Sequence, residues 1–309
     1  MKATVTTEIL VAGAGPAGLT AGLYASRSGY EAVILEKSFT GGQMALTSDV
    51  ENYPGFPEPV SGMALAQSME KQATRFGCRV VNVEATGISS DPAGFLVTST
   101  QDSFTARAVI ICTGVKPRQL GAPGEQELIG RGVSYCAVCD GPLFKGREVA
   151  VVGGGDSALD EALYLSRMAA RVHVIHRRDE FRGCKMALER LRRRENVVFH
   201  LSTIVTAVNG KNRLESLELS PARGAVSSTL PVSGLFVYIG SSPNTAWCSG
   251  FVKLDDTGSI VTDDRLRTNV PGVFAAGDVR NTRLRQIATS VGDGALAAMM
   301  ADEYLVAKG

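Results

Sequence analysis

The chain has 309 residues, 44% of them hydrophobic and 20% charged, with a formal net charge of +1. That length favours two domains over one core, and the composition is that of a folded α/β protein rather than a disordered or fibrous one. The near-neutral charge argues against a general nucleic-acid or acidic-membrane surface, no apolar run reaches the length of a membrane span, and MKATVTTEILVAGAG enters a strand directly instead of a signal peptide, so a cytoplasmic protein is expected.

In chain order, the first pattern is EILVAGAGPAGLTAGLYASRSGYEAVILEK, residues 8–37: an apolar strand, a Gly-rich turn, a helix of small residues and a second strand. Gly13, Gly15, Pro16, Ala17 and Gly18 form a GxGxxG turn in the context a dinucleotide fingerprint requires, with glycines for the tight turn, for close approach of the backbone to a pyrophosphate and for helix–strand packing. Glu36 ends the second strand, where a carboxylate accepts hydrogen bonds from a ribose diol. Short strands follow at 95–100 and 108–114, and the Gly/Pro connector 114–117 closes this part.

Cys136-Ala-Val-Cys139-Asp140 comes next. Of the six cysteines only this pair sits at a motif spacing; Cys78, Cys112, Cys184 and Cys248 read as buried small hydrophobes or incidental thiols. A metal reading needs more ligands, and with three histidines and no second CxxC the chain does not supply them, so no metal is expected. A redox-active dithiol is favoured, with Asp140 placed either to shuttle its proton or simply as a turn carboxylate before Gly-Pro.

Residues 147–178, REVAVVGGGDSALDEALYLSRMAARVHVIHRR, repeat the first pattern, with Ala158 in the packing position of the third glycine. Counted from the first glycine, the place of Glu36 is taken by His176, followed by Arg177, Arg178 and, a turn later, Arg182. Guanidinium groups there fork onto a 2′-phosphate that a carboxylate would repel, so the second copy is expected to bind NADP(H) and the first a nucleotide with a free ribose diol, such as FAD. The charge run 190–195 reads as a solvated helix end. Strands are expected across VVFHLSTIVTAVNG, RLESLELS and LFVYIG, then a second connector at 240–244. The strand-like VFAAG and the helical ATSVGDGALAAMMADEYL return to the first domain, so the second domain is inserted into it.

Taken together, GAGPAG, TGGQMALTSDVENYPG, ICTG, GRGVSYCAVCDG, GGGDSALDEALYLS, HRRDEFR, GVFAAGDV and RQIATSVGDGALAA resemble the low-molecular-weight thioredoxin reductases over nearly the whole chain. The resemblance implies an α/β fold of two Rossmann-like dinucleotide-binding domains, three-layer ββα, with FAD-binding parts at 1–116 and 244–309 and an NADPH-binding insert at 117–243. It implies FAD held by Gly13, Gly15, Pro16, Ala17, Gly18, Glu36, Gly42, Gln43, Asn52, Thr113, Gly114, Gly277, Asp278, Arg285, Gln286 and Ile287. NADPH would be held by Gly155, Asp156, Ser157, His176, Arg177, Arg178 and Arg182. It further implies a homodimer that reduces thioredoxin, Cys139 next to the flavin, Cys136 attacking thioredoxin, Asp140 as acid/base, and docking helped by Arg131, Leu143 and Phe144. Leu284, where many members carry an aromatic, and Asp160, where Glu is common, are departures that leave the dithiol untouched.

Overall fold

The computed structural model describes residues 4–47, 50–222 and 227–309; Ser48 and Asp49 of the TGGQMALTSDVENYPG segment lie outside the described residues. In chain order the elements are β1 (Thr4–Ala12), α1 (Pro16–Arg27), β2 (Ala32–Glu36), α2 (Gly62–Arg75), β3 (Arg79–Asn82), β4 (Ala85–Asp91), β5 (Gly94–Ser99), β6 (Ser103–Ile111) and β7 (Val115–Pro117). Then come β8 (Val133–Ser134), α3 (Ala137–Asp140), β9 (Glu148–Gly153), α4 (Asp156–Ser166), β10 (Arg171–Ile175), α5 (Lys185–Arg192), β11 (Val197–His200), β12 (Thr203–Asn209), β13 (Ser216–Pro221), β14 (Ser228–Pro231), β15 (Gly234–Tyr238) and β16 (Ser241–Pro243). The chain ends with β17 (Val273–Ala275) and α6 (Ile287–Lys308). Two compact units result: unit 1 is Met1–Lys116 with Ser242–Gly309, and unit 2 is Pro117–Ser241.

In unit 1 the strands run β3-β2-β1-β6-β5-β4, with β17 also on β6. The long β6 serves two partners in succession. Its first half pairs antiparallel with β5, and Val109–Ile111 pair parallel with β17. Ile9 and Val11 of β1 pack with Leu19, Ala21 and Ala25 of α1 and Ala297 and Ala301 of α6, while Leu10 and Ala12 face a second core with Phe95 and Phe104. Burial on both faces explains why β1 reads as an unbroken apolar run, without polar alternation.

Unit 2 repeats the scheme with the parallel order β11-β10-β9-β15-β8. One face of this sheet packs on α4 and α5 through Val149, Val151, Leu159 and Leu191. The other packs through Ala150, Val152, Leu235 and Val237 on the antiparallel layer β12-β13-β14, which supplies Val208, Leu217 and Leu219. The stretch expected as continuous strand from 197 is broken at Leu201–Ser202. Ser202 sits at φ 50°, in the left-handed region, because β11 belongs to the parallel sheet and β12 to the layer stacked on it. The chain crosses between units twice, and the crossings pair as the two-stranded ribbon β7–β16. No described helix is long and apolar enough to cross a membrane.

Candidate active site

The first Gly loop closes the C-terminal end of β1. Gly13 turns the chain at φ +105°, and a Cβ on Gly18 would collide with the Gly13 carbonyl oxygen, so α1 starts pressed against the strand. A Cβ on Gly15 would meet nothing within 4 Å. Gly15 is the N-cap of α1 and makes no side-chain cap, the kind of helix start that can receive a phosphate group. Gly42 lies across this opening, its Cβ position 3.5 Å from the Gly15 Cα. Glu36 is anchored beside the loop by the N–H groups of Ala14 at 2.8 Å and Ser38 at 3.0 Å. Gln286, N-cap of α6, accepts from Asn52 Nδ2 at 2.9 Å, so two expected nucleotide contacts meet each other; Gln43 and Arg285 are exposed. Asp278 takes the Ser290 hydroxyl at 3.4 Å, and burial, ahead of the opposing pull of Arg285, pushes its carboxyl above the usual range. Thr113 and Gly114 bond to Asn244: Thr113 Oγ1 donates to its carbonyl at 2.8 Å, and Gly114 O accepts its N–H at 3.0 Å.

These two glycines separate folding from binding. Gly15→Ala is expected to fold with an unchanged melting temperature in the cofactor-free protein and to retain FAD at least about tenfold more weakly. Gly18→Ala is expected to lose stability by about 1–3 kcal/mol or more through overpacking. Thermal melts and flavin titration of both variants check this, and normal FAD affinity in Gly15→Ala would refute the cradle.

In unit 2 the second loop has the same division. Gly155 is open and is the uncapped N-cap of α4, whereas a Cβ on Gly153 would press on the Tyr238 carbonyl and on Ala158. Here the place of Glu36 is filled by packing: the His176 ring is buried against Gly154 and stacked on Phe181 at 5.2 Å. Its Nε2 lies 3.1 Å from the Glu180 carbonyl, and burial, with the charges of Arg178, Arg182 and Arg177 adding, lowers its pKa. His176 thus packs beneath the loop with its charged form disfavoured, and the exposed positive groups are Arg177, Arg178 and Arg182. Backbone N–H groups of Arg182 and Gly183 reach Gly154 O at 2.8 and 3.1 Å, and Cys184 N–H reaches Asp156 Oδ1 at 2.7 Å. The segment carrying Arg182 is therefore strapped to the loop.

Cys136 and Cys139 form a disulfide at the start of α3. Cys139 is exposed, and its N–H donates to Cys136 Sγ at 3.1 Å. Cys136 N–H donates to Ser134 Oγ at 3.0 Å, and Ala137 N–H to Tyr238 Oη at 2.8 Å. Tyr238 is held as the neutral phenol by burial and by the nearby Glu161 and Asp140 charges. Glu161 itself is pushed up to about 8, mainly by burial, and its Oε2 has no hydrogen-bond partner. Upstream, Glu125 is 1% exposed, takes N–H groups of Leu120 and Gly121 and accepts the Tyr135 hydroxyl at 2.7 Å. None of Ser134, Tyr135, Tyr238, Glu125 or Glu161 was legible as site support, since each reads in sequence as an ordinary strand, helix or loop residue. Of the expected docking pair, Leu143 is 71% exposed but Phe144 is 8% exposed, packed edge-on against Phe236 at 5.5 Å. Leu143 and Arg131 are both exposed. Cys78, Cys112 and Cys248 are buried; Cys184 is exposed, at the N-cap of α5. Among the described residues no cluster could hold a metal ion.

The chain matches the model of the pyridine nucleotide-disulphide oxidoreductase family over residues 7–294. It is 43% identical over 298 residues to thioredoxin reductase from Treponema pallidum (strain Nichols), covering 96% of this chain and 97% of that protein. It is 44% identical over 299 residues to thioredoxin reductase from Listeria monocytogenes serovar 1/2a, covering 96% and 93%. The structure of Lactococcus lactis thioredoxin reductase (FR conformation) superposes with a TM-score of 0.95 at 38% identity, covering 97% of this chain and 99% of that one. That of T. acidophilum thioredoxin reductase gives 0.93 at 34% identity, covering 98% and 99%. The chain therefore belongs to the pyridine nucleotide-disulphide oxidoreductase family, in its thioredoxin reductase branch.

Proposed function

We propose that this chain is an NADPH-dependent thioredoxin-disulfide reductase. The observation that carries the reading is the Cys136–Cys139 disulfide, held in the same unit as a Gly loop flanked by three exposed arginines. Bound FAD would supply the two-electron chemistry that links hydride from NADPH to reduction of the disulfide. Unit 1 would hold FAD at Gly15, the uncapped start of α1, Glu36, Gly42, Asn52, Asp278 and Gln286. Unit 2 would hold NADPH at Gly155, Asp156 and Ser157, with Arg177, Arg178 and Arg182 on the 2′-phosphate.

Once reduced, the pair performs ordinary thiol–disulfide exchange. The Cys136 thiolate, stabilised by the Cys139 N–H aimed at its sulfur, attacks one sulfur of the thioredoxin disulfide, and the displaced thioredoxin thiolate takes the proton that Asp140 relays from the Cys139 thiol. The Cys139 thiolate left by that transfer attacks Cys136 Sγ, which reforms the enzyme disulfide and expels the second thioredoxin sulfur as a thiolate that takes its proton from water. Leu143 and Arg131 suit a docking surface, and the family resemblance supports a homodimer.

Unit 2 carries both the dithiol and the NADPH loop, and each must come within about 3–3.5 Å of one flavin to react. A disulfide packed on the flavin is not also open to thioredoxin. Rotation of unit 2 about the β7–β16 ribbon between half-reactions meets both demands.

The test is NADPH oxidation with thioredoxin by the FAD-loaded protein and by R177A/R178A. The wild type is expected to turn over. The variant should raise the KM for NADPH roughly 10- to 100-fold, at about 1.5–3 kcal/mol for charge-assisted bonds lost, and leave NADH nearly untouched. An equal loss for both nucleotides would refute the 2′-phosphate assignment, and no thioredoxin reduction by the wild type would refute the function.

A further inference from the structure

The 277–280 turn and α6 are joined by a nearly buried ion pair that the dinucleotide fingerprint does not contain. Arg280 forks onto Asp293, Nε to Oδ2 at 2.7 Å and Nη2 to Oδ1 at 2.9 Å, with side chains only 18% and 14% exposed. Asp293 Oδ2 also accepts the N–H of Gly277 at 3.0 Å. Gly277 stands at φ +77°, where a side chain is strained, and a Cβ there would lie 2.9 Å from Ala17 Cβ in the first turn of α1. Gly294, the next residue after Asp293, is pressed on the Ala17 carbonyl, and its Cβ position is 3.0 Å from Thr20 Cβ. One carboxylate thus grips the turn that presents Asp278, on the part of α6 that packs against the first turn after the Gly13–Gly18 loop.

We propose that Arg280 and Asp293 are the positioning pair for the flavin nucleotide, Asp293 fixing the Gly277–Asp278 turn and Arg280 cancelling a negative charge that would otherwise sit uncompensated behind the pyrophosphate loop. An N–H held by a carboxylate is a charge-assisted bond, stronger than a neutral one, and it pins a left-handed glycine that has no side chain to hold it. A mostly buried carboxylate without its partner is costly in itself and, close to a site for a dianionic pyrophosphate, acts against the ligand as well. The raised pKa of Asp278, to which the Asp293 charge contributes, agrees with that proximity.

The inference rests on the reading of Gly13–Gly18 as the flavin loop, and flavin binding by the wild type tests that reading separately. FAD is titrated into the cofactor-free full chain of the wild type, R280Q, D293N and R280Q/D293N, and melting temperatures are taken without and with saturating FAD. R280Q is expected to weaken FAD at least about tenfold and to shrink the FAD-induced rise in melting temperature, which purely structural damage would leave in place. R280Q/D293N is expected to bind FAD several-fold better than R280Q, because the uncompensated charge is gone. D293N, nearly isosteric, keeps the test open should R280Q fail to fold, and is expected to weaken FAD about three- to tenfold. FAD affinity within twofold of wild type in R280Q or D293N would overturn the proposal, as would a double variant no better than R280Q. A wild type that binds no FAD would overturn the flavoprotein reading itself.

Discussion

Serine at either Cys136 or Cys139 is expected to lower NADPH-driven thioredoxin reduction by about a thousandfold or more, while NADPH still reduces bound FAD. The two thiols act in sequence, so neither substitutes for the other. The variants should differ in what they trap. In Cys139→Ser the remaining Cys136 thiolate still lies at the N-terminal end of α3, beside the amide of residue 139. It can attack thioredoxin, but no second thiol resolves the adduct, so a mixed disulfide should accumulate. In Cys136→Ser the attacking sulfur is gone and the exposed Cys139 lacks that amide, so the adduct should be sparse. Non-reducing electrophoresis of each variant with thioredoxin reads this directly. Turnover surviving in either variant would sink the dithiol mechanism, and an adduct confined to Cys136→Ser would reverse the assigned roles.

The two βαβ units were readable from residues alone because their determinants are local. An apolar strand, a glycine turn and a helix opening on Pro16 or Asp156 are set by neighbours within one pattern. The difference between Glu36 and the 176–178 run was readable for the same reason, but its physical use was only half visible. Sequence places His176 where an acid would sit; the structure buries its ring against Gly154, which lowers its pKa, and the exposed charges are those of the arginines after it. Supporting contacts were hidden because they join residues far apart in the chain. Tyr238 meets Ala137 across 101 positions, and Arg280 meets Asp293 from a turn to a helix. Phe144, which the family resemblance pairs with Leu143, has a packing role that its sequence neighbours do not reveal: its ring completes the core against Phe236.

Locking unit 2 against unit 1 with an engineered disulfide, placed to hold the dithiol at the flavin, is expected to reduce thioredoxin turnover by more than about a hundredfold and to be reversed when the lock is reduced. The anchoring of the connectors makes a pivot there mechanically reasonable. On the unit 1 side, Thr113, Gly114 and Asn244 exchange three bonds: Thr113 Oγ1 to Asn244 O at 2.8 Å, Asn244 Nδ2 to Thr113 O at 2.9 Å and Asn244 N–H to Gly114 O at 3.0 Å. On the unit 2 side, Arg118 N–H reaches Gly240 O at 2.9 Å. Between these clamps only the short β7 and β16 remain, three residues each, so a rotation would concentrate its torsion changes at 115–117 and 241–243. The two single-cysteine variants of the lock serve as controls for damage by substitution. After a phosphine opens the lock, the same protein should recover the turnover of those controls, which distinguishes arrest of motion from misfolding. A chain shown by mass spectrometry to be fully locked, and yet turning over thioredoxin at the control rate, would mean that dithiol and NADPH reach the flavin in one arrangement and that unit 2 does not rotate.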